Sequence, residues 1–287
     1  MNPNYQVVII GGGPAGVSAA LYLARANIKT AIVENGPGAL ARAHKIDNFY
    51  GIAASGPKLY AEGLEQARAL VVEIIQDEVL AVEYFDSFAL TLKNQTEPLS
   101  APVLLLATGT KNVTLNLPGL MELEGKGISY CAVCDGFFFR KKQVAVLGDG
   151  PFALHEAEYL QHLADKVTVL THGKDDSLAK AAGFATITTP LKAITGDARL
   201  EALQFEDGST LMVNGLFIAL GTADSTDMAR KLGAQLDGRF IKVDADGSTN
   251  IPGLFAAGDC IGGLKQVSKA VHDGARAGLA IIKHLRK

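Results

Sequence analysis

The sequence is short of cysteine, of basic excess and of long apolar runs. Three cysteines in 287 residues cannot build the disulfide framework of a small secreted scaffold. The formal net charge is −3, so the chain carries no field able to hold a phosphate backbone or an anionic membrane surface. Its apolar stretches, such as Ala101 to Ala107 and Gly215 to Gly221, fall well short of the roughly 20 residues of a membrane-spanning helix. Met1 to Gln6 brings no positive charge ahead of the apolar run Val7 to Ile10, which argues against a secretory leader and for a cytoplasmic protein. Glycine, by contrast, is abundant: 31 residues, about half as many again as the roughly 7% average usage would give. With 48% hydrophobic and 20% charged residues the chain is globular, rich in tight turns, and long enough for about two domains.

Strand-like runs alternate with helical periodicity, the pattern of βαβ units and parallel sheets. Val7 to Ile10 reads as a buried strand, Gly16 to Ala26 as a helix and Thr30 to Val33 as the next strand. The unit recurs at Val144 to Leu147, Pro151 to Leu163 and Val167 to Leu170. The predicted class is therefore α/β, with two Rossmann-like, doubly wound, three-layer nucleotide-binding domains. In the first copy the loop reads Gly11-Gly12-Gly13-Pro14-Ala15-Gly16. Gly11 permits the turn, Gly13 lets a pyrophosphate approach the backbone, Gly16 allows close helix packing, and the helix start offers free N–H groups to the anion. Glu34 closes the following strand at the distance of a ribose-binding acid. Strand, loop, helix and acid together predict dinucleotide binding.

Two later segments say which dinucleotide. Leu104 to Gly109 (LLLATG) and Leu254 to Asp259 (LFAAGD) resemble the two auxiliary motifs of FAD-binding disulfide reductases. That resemblance implies FAD rather than NAD in the first fold, with Ala107, Thr108, Gly109, Gly258 and Asp259 at the cofactor. Beyond them, Val267, Ala270, Val271, Ala275, Leu279 and Ile282 recur at helical spacing, predicting one amphipathic helix over Lys265 to Leu285. By the same resemblance Lys265, Gln266 and Val267 present backbone N–H groups to the isoalloxazine edge, where the positive helix end favours reduced flavin. Asn48, in the stretch 41–51, is placed with the cofactor as well.

Cys131 and Cys134 have the C-x-x-C spacing of redox or metal chemistry. A zinc site needs four ligands, and Cys260 is the one other cysteine. The run Cys131-Ala132-Val133-Cys134-Asp135-Gly136-Phe137-Phe138, set between the ATG-type strand and the second glycine loop, resembles the low-molecular-weight thioredoxin reductases, and the likeness extends over nearly the whole chain. It implies an FAD domain discontinuous in sequence, 1–112 and 243–287, and a central NADPH-like domain, 113–242, that carries the redox cysteines. It also implies that Cys134 faces the flavin, that Cys131 attacks the disulfide of a thioredoxin-like protein, that Asp135 is the general acid and base, and that the chain forms a homodimer. An Asp before Gly is also an ordinary turn former. Cys260 reads as a small packed residue, and Phe137 to Phe139 as either core or partner-docking surface.

The chain departs from that pattern where a nicotinamide nucleotide would bind. After the second unit's last strand stands Thr171-His172-Gly173-Lys174-Asp175-Asp176, with neither the arginines that would grip a 2′-phosphate nor an acid ending the strand. The loop Gly148-Asp149-Gly150-Pro151-Phe152-Ala153 keeps its glycines, but Asp149 and Phe152 make it less welcoming to pyrophosphate. Lys174 and His172 remain as possible substitutes for the arginines. The stretch 171–198 has room for one helix and a strand before a hairpin over Leu203 to Met212. The NADPH site is thus expected to be degenerate, as in ferredoxin-dependent flavin thioredoxin reductases. Arg42, His44 and Lys45 offer a basic spot to a small acidic carrier such as ferredoxin. The leading expectation is a flavoprotein disulfide reductase with a non-nicotinamide donor. Its alternatives are an ordinary NADPH-dependent thioredoxin reductase, a dithiol oxidase acting on a small molecule, and a non-catalytic flavin-bound redox sensor.

Overall fold

Val7–Ile10 and Val103–Leu106 are uninterrupted apolar runs, the signature of strands covered on both faces, and in the structure they lie side by side at the centre of a parallel sheet. The computed structural model describes residues 4–109, 117–130, 132–220, 225–238 and 240–286, with the side chains of all these but 133 and 134. The chain forms two units, Met1–Thr110 with Asp224–Lys287, and Lys111–Ala223. The helices among the described residues are α1 (Pro14–Arg25), α2 (Gly56–Ala69), α3 (Ala132–Asp135), α4 (Pro151–Gln161), α5 (Ser177–Ala181), α6 (Ser225–Lys231) and α7 (Val267–Leu285).

The sheet of the first unit runs in the order Leu254–Ala256, Val103–Leu106, Val7–Ile10, Thr30–Glu34, Glu73–Gln76, all pairs parallel. One face supplies Val7, Ile9, Val103, Leu105 and Phe255 to a core shared with α1 and α7. Val8, Leu104 and Leu106, which alternate with them, are equally buried, so the opposite face is covered too. The chain order reverses at Val7–Ile10, which has a later strand on one side and the next strand on the other. Ligands of open α/β sheets bind beyond the carboxyl ends of the strands at such a switch point.

The second unit repeats the plan. Its parallel sheet runs Ile128–Ser129, Gly215–Ile218, Gln143–Leu147, Lys166–Leu170, Ala185–Ile187, with Gln143–Leu147 in the middle. Its core gathers Ala145, Leu147, Leu170, Leu203, Phe205 and Leu216.

Two expectations are corrected. The first unit takes up the chain again from Asp224. There α6 and the strands Leu236–Asp237 and Phe240–Ile241 bury Met228, Ala229 and Ile241, and Ser225 exchanges hydrogen bonds with Thr108. The stretch 171–198 holds α5 and two strands, Ala185–Ile187 and Leu191–Thr195. Finally, α7 is turned from the apolar stripe read in the sequence. Its buried face is Ala270, Asp273, Gly274, Ala277, Gly278 and Ile281, while Leu279 is exposed. Close approach decides this: a Cβ at Gly274 would stand 2.0 Å from the carbonyl oxygen of Ala15 on α1. The small residues therefore face inward although they are the less apolar set.

Candidate functional site

The first glycine loop leaves the strand at Gly11, whose φ of +114° is open to glycine and costly for any other residue. A Cβ there would also lie 2.4 Å from the Ala107 carbonyl oxygen. Gly13 precedes α1 in extended conformation and has nothing within 4 Å of its Cβ direction. Pro14 opens the helix where its missing N–H is no loss, Ala15 is buried behind it, and a Cβ at Gly16 would collide with the Gly11 carbonyl. The result is an open approach, at Gly13, to the helix-opening N–H groups, which suits a pyrophosphate.

Glu34 ends the neighbouring strand and is 5% exposed. Its Oε2 accepts from the Gly36 N–H at 2.7 Å and from the Tyr60 hydroxyl of α2. Burial, and then the hydrogen bond to Glu34, push the Tyr60 phenol above the usual tyrosine range, so it stays a donor and fixes the carboxylate's orientation. Sequence reasoning missed Tyr60. It sits in an ordinary amphipathic helix, and no motif marks it.

Ala107, Thr108 and Gly109 follow Val103–Leu106, and the Ala107 N–H donates to the Ile10 carbonyl at 2.8 Å. Thr108 is not a free polar group: its Oγ1 accepts from the Ser225 N–H at 2.9 Å and lies 2.7 Å from the Ser225 hydroxyl, which ties down the start of α6. The turn Gly258, Asp259, Cys260 is held by α7. Lys269 Nζ donates to the Gly258 carbonyl at 2.8 Å and the Gly262 carbonyl at 2.5 Å, and pairs with Asp273 at 2.7 Å. Asp273 in turn accepts the Gly258 N–H at 3.3 Å. Neither Lys269 nor Asp273 was expected. The one available signal was a Lys-x-x-x-Asp spacing, which is more often a solvated surface pair. Cys260 is buried and in no disulfide, its S–H directed at backbone carbonyls, as a packed residue should be.

Gln266 precedes α7, whose first residue is Val267. Gln266 Oε1 accepts from Asn48 Nδ2 at 2.9 Å, joining residues 218 positions apart. Lys265 beside it is exposed. Gly11, Gly13, Ala107, Glu34 and Gly258 thus meet at the carboxyl ends of the central strands, with Asn48 and Gln266 paired nearby in sequence to the same elements. A loop free of side chains, an oriented carboxylate ending the neighbouring strand and a clamped turn are the features that fit an FAD. Of the basic spot, Lys45 is paired with Asp47 at 3.0 Å, both exposed, and Arg42 and His44 are exposed.

In the second unit Cys131 lies outside the described residues, and Cys134 contributes backbone to α3. Asp135, the last residue of α3, accepts from the Ser129 hydroxyl at 2.7 Å, which fixes its carboxylate beside the cysteine segment. Phe137 and Phe138 are exposed, whereas Phe139 packs edge-on against Phe217, ring centroids 5.3 Å apart. Among the described residues no group of side chains could hold a metal ion, and no helix is long and apolar enough to cross a membrane.

Both substitutes for the missing arginines are already committed. Lys174 Nζ lies 3.1 Å from Asp149 Oδ1 in the second glycine loop, and His172 Nδ1 accepts the Leu191 N–H at 2.9 Å. The cavity over that loop, lined by Gly148, Asp149, Gly150, Thr171 and Leu178, is about 10 Å³, room for about one water. Phe152, expected to crowd the loop, is instead fully buried, on the same face of α4 as Ala153, Ala157 and Leu160.

Comparison with known proteins agrees with this geometry. Residues 5–274 match the pyridine nucleotide-disulphide oxidoreductase family. A thioredoxin reductase of Listeria monocytogenes is 33% identical over 304 residues, covering 99% of this chain and 94% of that protein. Among solved structures, the atypical thioredoxin reductase TRi from Desulfovibrio vulgaris Hildenborough is 38% identical with a TM-score of 0.92, covering 99% of this chain and 98% of that one. A ferredoxin-flavin thioredoxin reductase from Clostridium acetobutylicum is 28% identical with a TM-score of 0.74, over 98% of both chains. The protein is an oxidoreductase acting on a sulfur group, for which the flavin is FAD, and the chain belongs to the pyridine nucleotide-disulphide oxidoreductase family.

Proposed function

We propose that the protein reduces the disulfide of a thioredoxin-like partner through FAD and a Cys131–Cys134 dithiol, drawing electrons from reduced ferredoxin or another non-nicotinamide carrier. The observation that carries the donor assignment is the Lys174–Asp149 pair. Lys174, the lysine expected to meet a 2′-phosphate, is held by an acid that also repels pyrophosphate. The thioredoxin reductase relatives support the substrate class, and the likeness to a ferredoxin-flavin thioredoxin reductase supports the donor class.

In this reading Gly11, Gly13 and the start of α1 hold the FAD diphosphate, Glu34 takes a ribose hydroxyl, and Asp259, fixed by the Lys269 clamp, borders the ribityl region. Bound FAD supplies the two electrons that open the Cys131–Cys134 disulfide. The Cys131 thiolate then attacks a partner sulfur; the partner's S–S bond breaks, a mixed disulfide forms and one partner thiolate leaves. The Cys134 thiolate attacks the Cys131 sulfur, closing the pair and releasing the second partner thiolate. Asp135, oriented by Ser129, passes protons to the leaving thiolates. The partner gains two electrons and two protons, and the dithiol loses them. The exposed rings of Phe137 and Phe138 form part of the partner's seat.

The test is anaerobic. NADPH, NADH and photoreduced ferredoxin are added separately to the yellow protein, and flavin bleaching is followed. Bleaching by ferredoxin alone is expected. Rapid bleaching by micromolar NADPH overturns the donor assignment and makes the protein an ordinary NADPH-dependent reductase.

A further inference from the structure

Glu156 is 1% exposed and stands in the middle of the core-facing stripe of α4, between Phe152, Ala153, Ala157 and Leu160. An acid in such a stripe is costly unless its oxygens are hydrogen-bonded. Glu156 Oε2 accepts the Ala132 N–H at 2.7 Å, and that nitrogen belongs to the peptide bond joining Cys131 to Ala132. The N–H is one of the helix-opening donors that α3 cannot satisfy internally. The contact of α3 with α4 continues at Gly136, where a Cβ would come within 3.2 Å of Leu160 and 3.1 Å of Leu163.

We propose that Glu156 is a positioning residue of the dithiol: its buried carboxylate fixes the backbone between the two cysteines and, by its charge, keeps the pair strongly reducing. The inference rests on the reading of Cys131 and Cys134 as the redox pair. Stabilising the thiolate form of a dithiol makes its disulfide a stronger oxidant. Glu156 acts in the opposite sense, because it occupies a backbone donor next to Cys131 and adds negative charge there. Asp135 is a second carboxylate on the same segment, with its Oδ2 bound to the Ser129 hydroxyl. Glu156, α3 and α4 all belong to one unit, so the effect is built into the central fold.

Glu156→Gln keeps an acceptor oxygen for the Ala132 N–H and removes the charge; Glu156→Ala removes both. Holoenzyme is equilibrated anaerobically in buffers of reduced and oxidised dithiothreitol of graded ratio, up to excess reductant, then quenched in acid, alkylated under denaturing conditions and weighed. Of the three cysteines, the oxidised pair leaves Cys260 alone to be labelled, and reduction adds Cys131 and Cys134. The midpoint of Glu156→Gln is expected to move about tenfold toward the dithiol, or about 30 mV upward for a two-electron couple, with an unchanged thermal midpoint. Glu156→Ala, which also frees the Ala132 N–H, should shift at least as far in the same direction and, in addition, slow thioredoxin turnover. If wild type and Glu156→Gln titrate together, Glu156 has no such role and the dithiol reading stands. A wild-type mass that never changes removes the dithiol reading, and the role of Glu156 with it.

Discussion

Lys269 and Asp273 stand one turn apart on α7 and form a 2.7 Å ion pair in which the lysine side chain is 19% exposed and the aspartate 5%. The other two protons of the ammonium go to the carbonyls of Gly258 and Gly262, so all three of its donors are used. The pair therefore stitches the turn Gly258–Gly262 to the helix, so that side chains of α7 set the turn's geometry.

Lys269→Met keeps the length of the side chain and removes the clamp. Because Asp273 is then left buried with less compensation, the variant should lose about 3 kcal/mol of stability and release FAD at least tenfold faster. Urea unfolding and flavin fluorescence during dilution measure the two effects. A variant as stable and as yellow as wild type would show the clamp to be idle.

Tyr60→Phe tests the orientation of Glu34. FAD affinity should fall several-fold in calorimetric titration of the apoprotein, because the carboxylate loses one of its two fixing donors. The raised Tyr60 phenol also has a pH signature. Its contribution to stability is complete below the ordinary tyrosine value near 10 and is lost as pH rises above it, because the unfolded chain then ionises while the folded one resists. Tyr60→Phe should accordingly lose less stability than wild type between pH 10 and 11. Tyr5, raised by burial and by Glu73, keeps part of the alkaline slope in both proteins.

Asp135→Asn should slow thioredoxin turnover by roughly 10²–10⁴, the usual range for a lost general acid or base, while leaving FAD content intact. Ser129→Ala, which frees the Asp135 carboxylate, should cost less, about tenfold. Equal rates in Asp135→Asn and wild type would leave Asp135 as a turn former.

Calorimetric titration with NADP⁺ and NAD⁺ should give no heat up to millimolar concentration. Lys174→Ala should not change this result or the stability by more than about 1 kcal/mol, since the Lys174–Asp149 pair is largely exposed. Micromolar binding lost on that substitution would restore Lys174 as a phosphate ligand.

Thr108 and Ser225 give a purely structural prediction. Ser225 is fully buried, and replacing it with Ala leaves the Thr108 N–H without its acceptor and removes the hydroxyl contact to Thr108 Oγ1, which keeps the Ser225 N–H. About 1–3 kcal/mol of stability should be lost, read from the denaturant midpoint.

The sequence by itself determined the features written in local backbone chemistry. Gly11 announced its turn, Val7–Ile10 announced a buried strand, Pro151 announced a helix start, and the paired cysteines announced their segment, whereas the first helix, read from Gly16, opens at Pro14. Each follows from the conformations or period open to a few adjacent residues. Only the tertiary structure decided the Asn48–Gln266 bond, the Lys269 clamp, the Tyr60–Glu34 contact, the Thr108–Ser225 exchange and the burial of Glu156. Those partners lie far apart in sequence or look like surface residues until packing removes the water. The same holds for α7, where apolar periodicity pointed to one face and the close approach of Gly274 to Ala15 selected another. Hydrophobicity ranks side chains by what they gain from burial, whereas the distance between two helix backbones is set by what can physically fit.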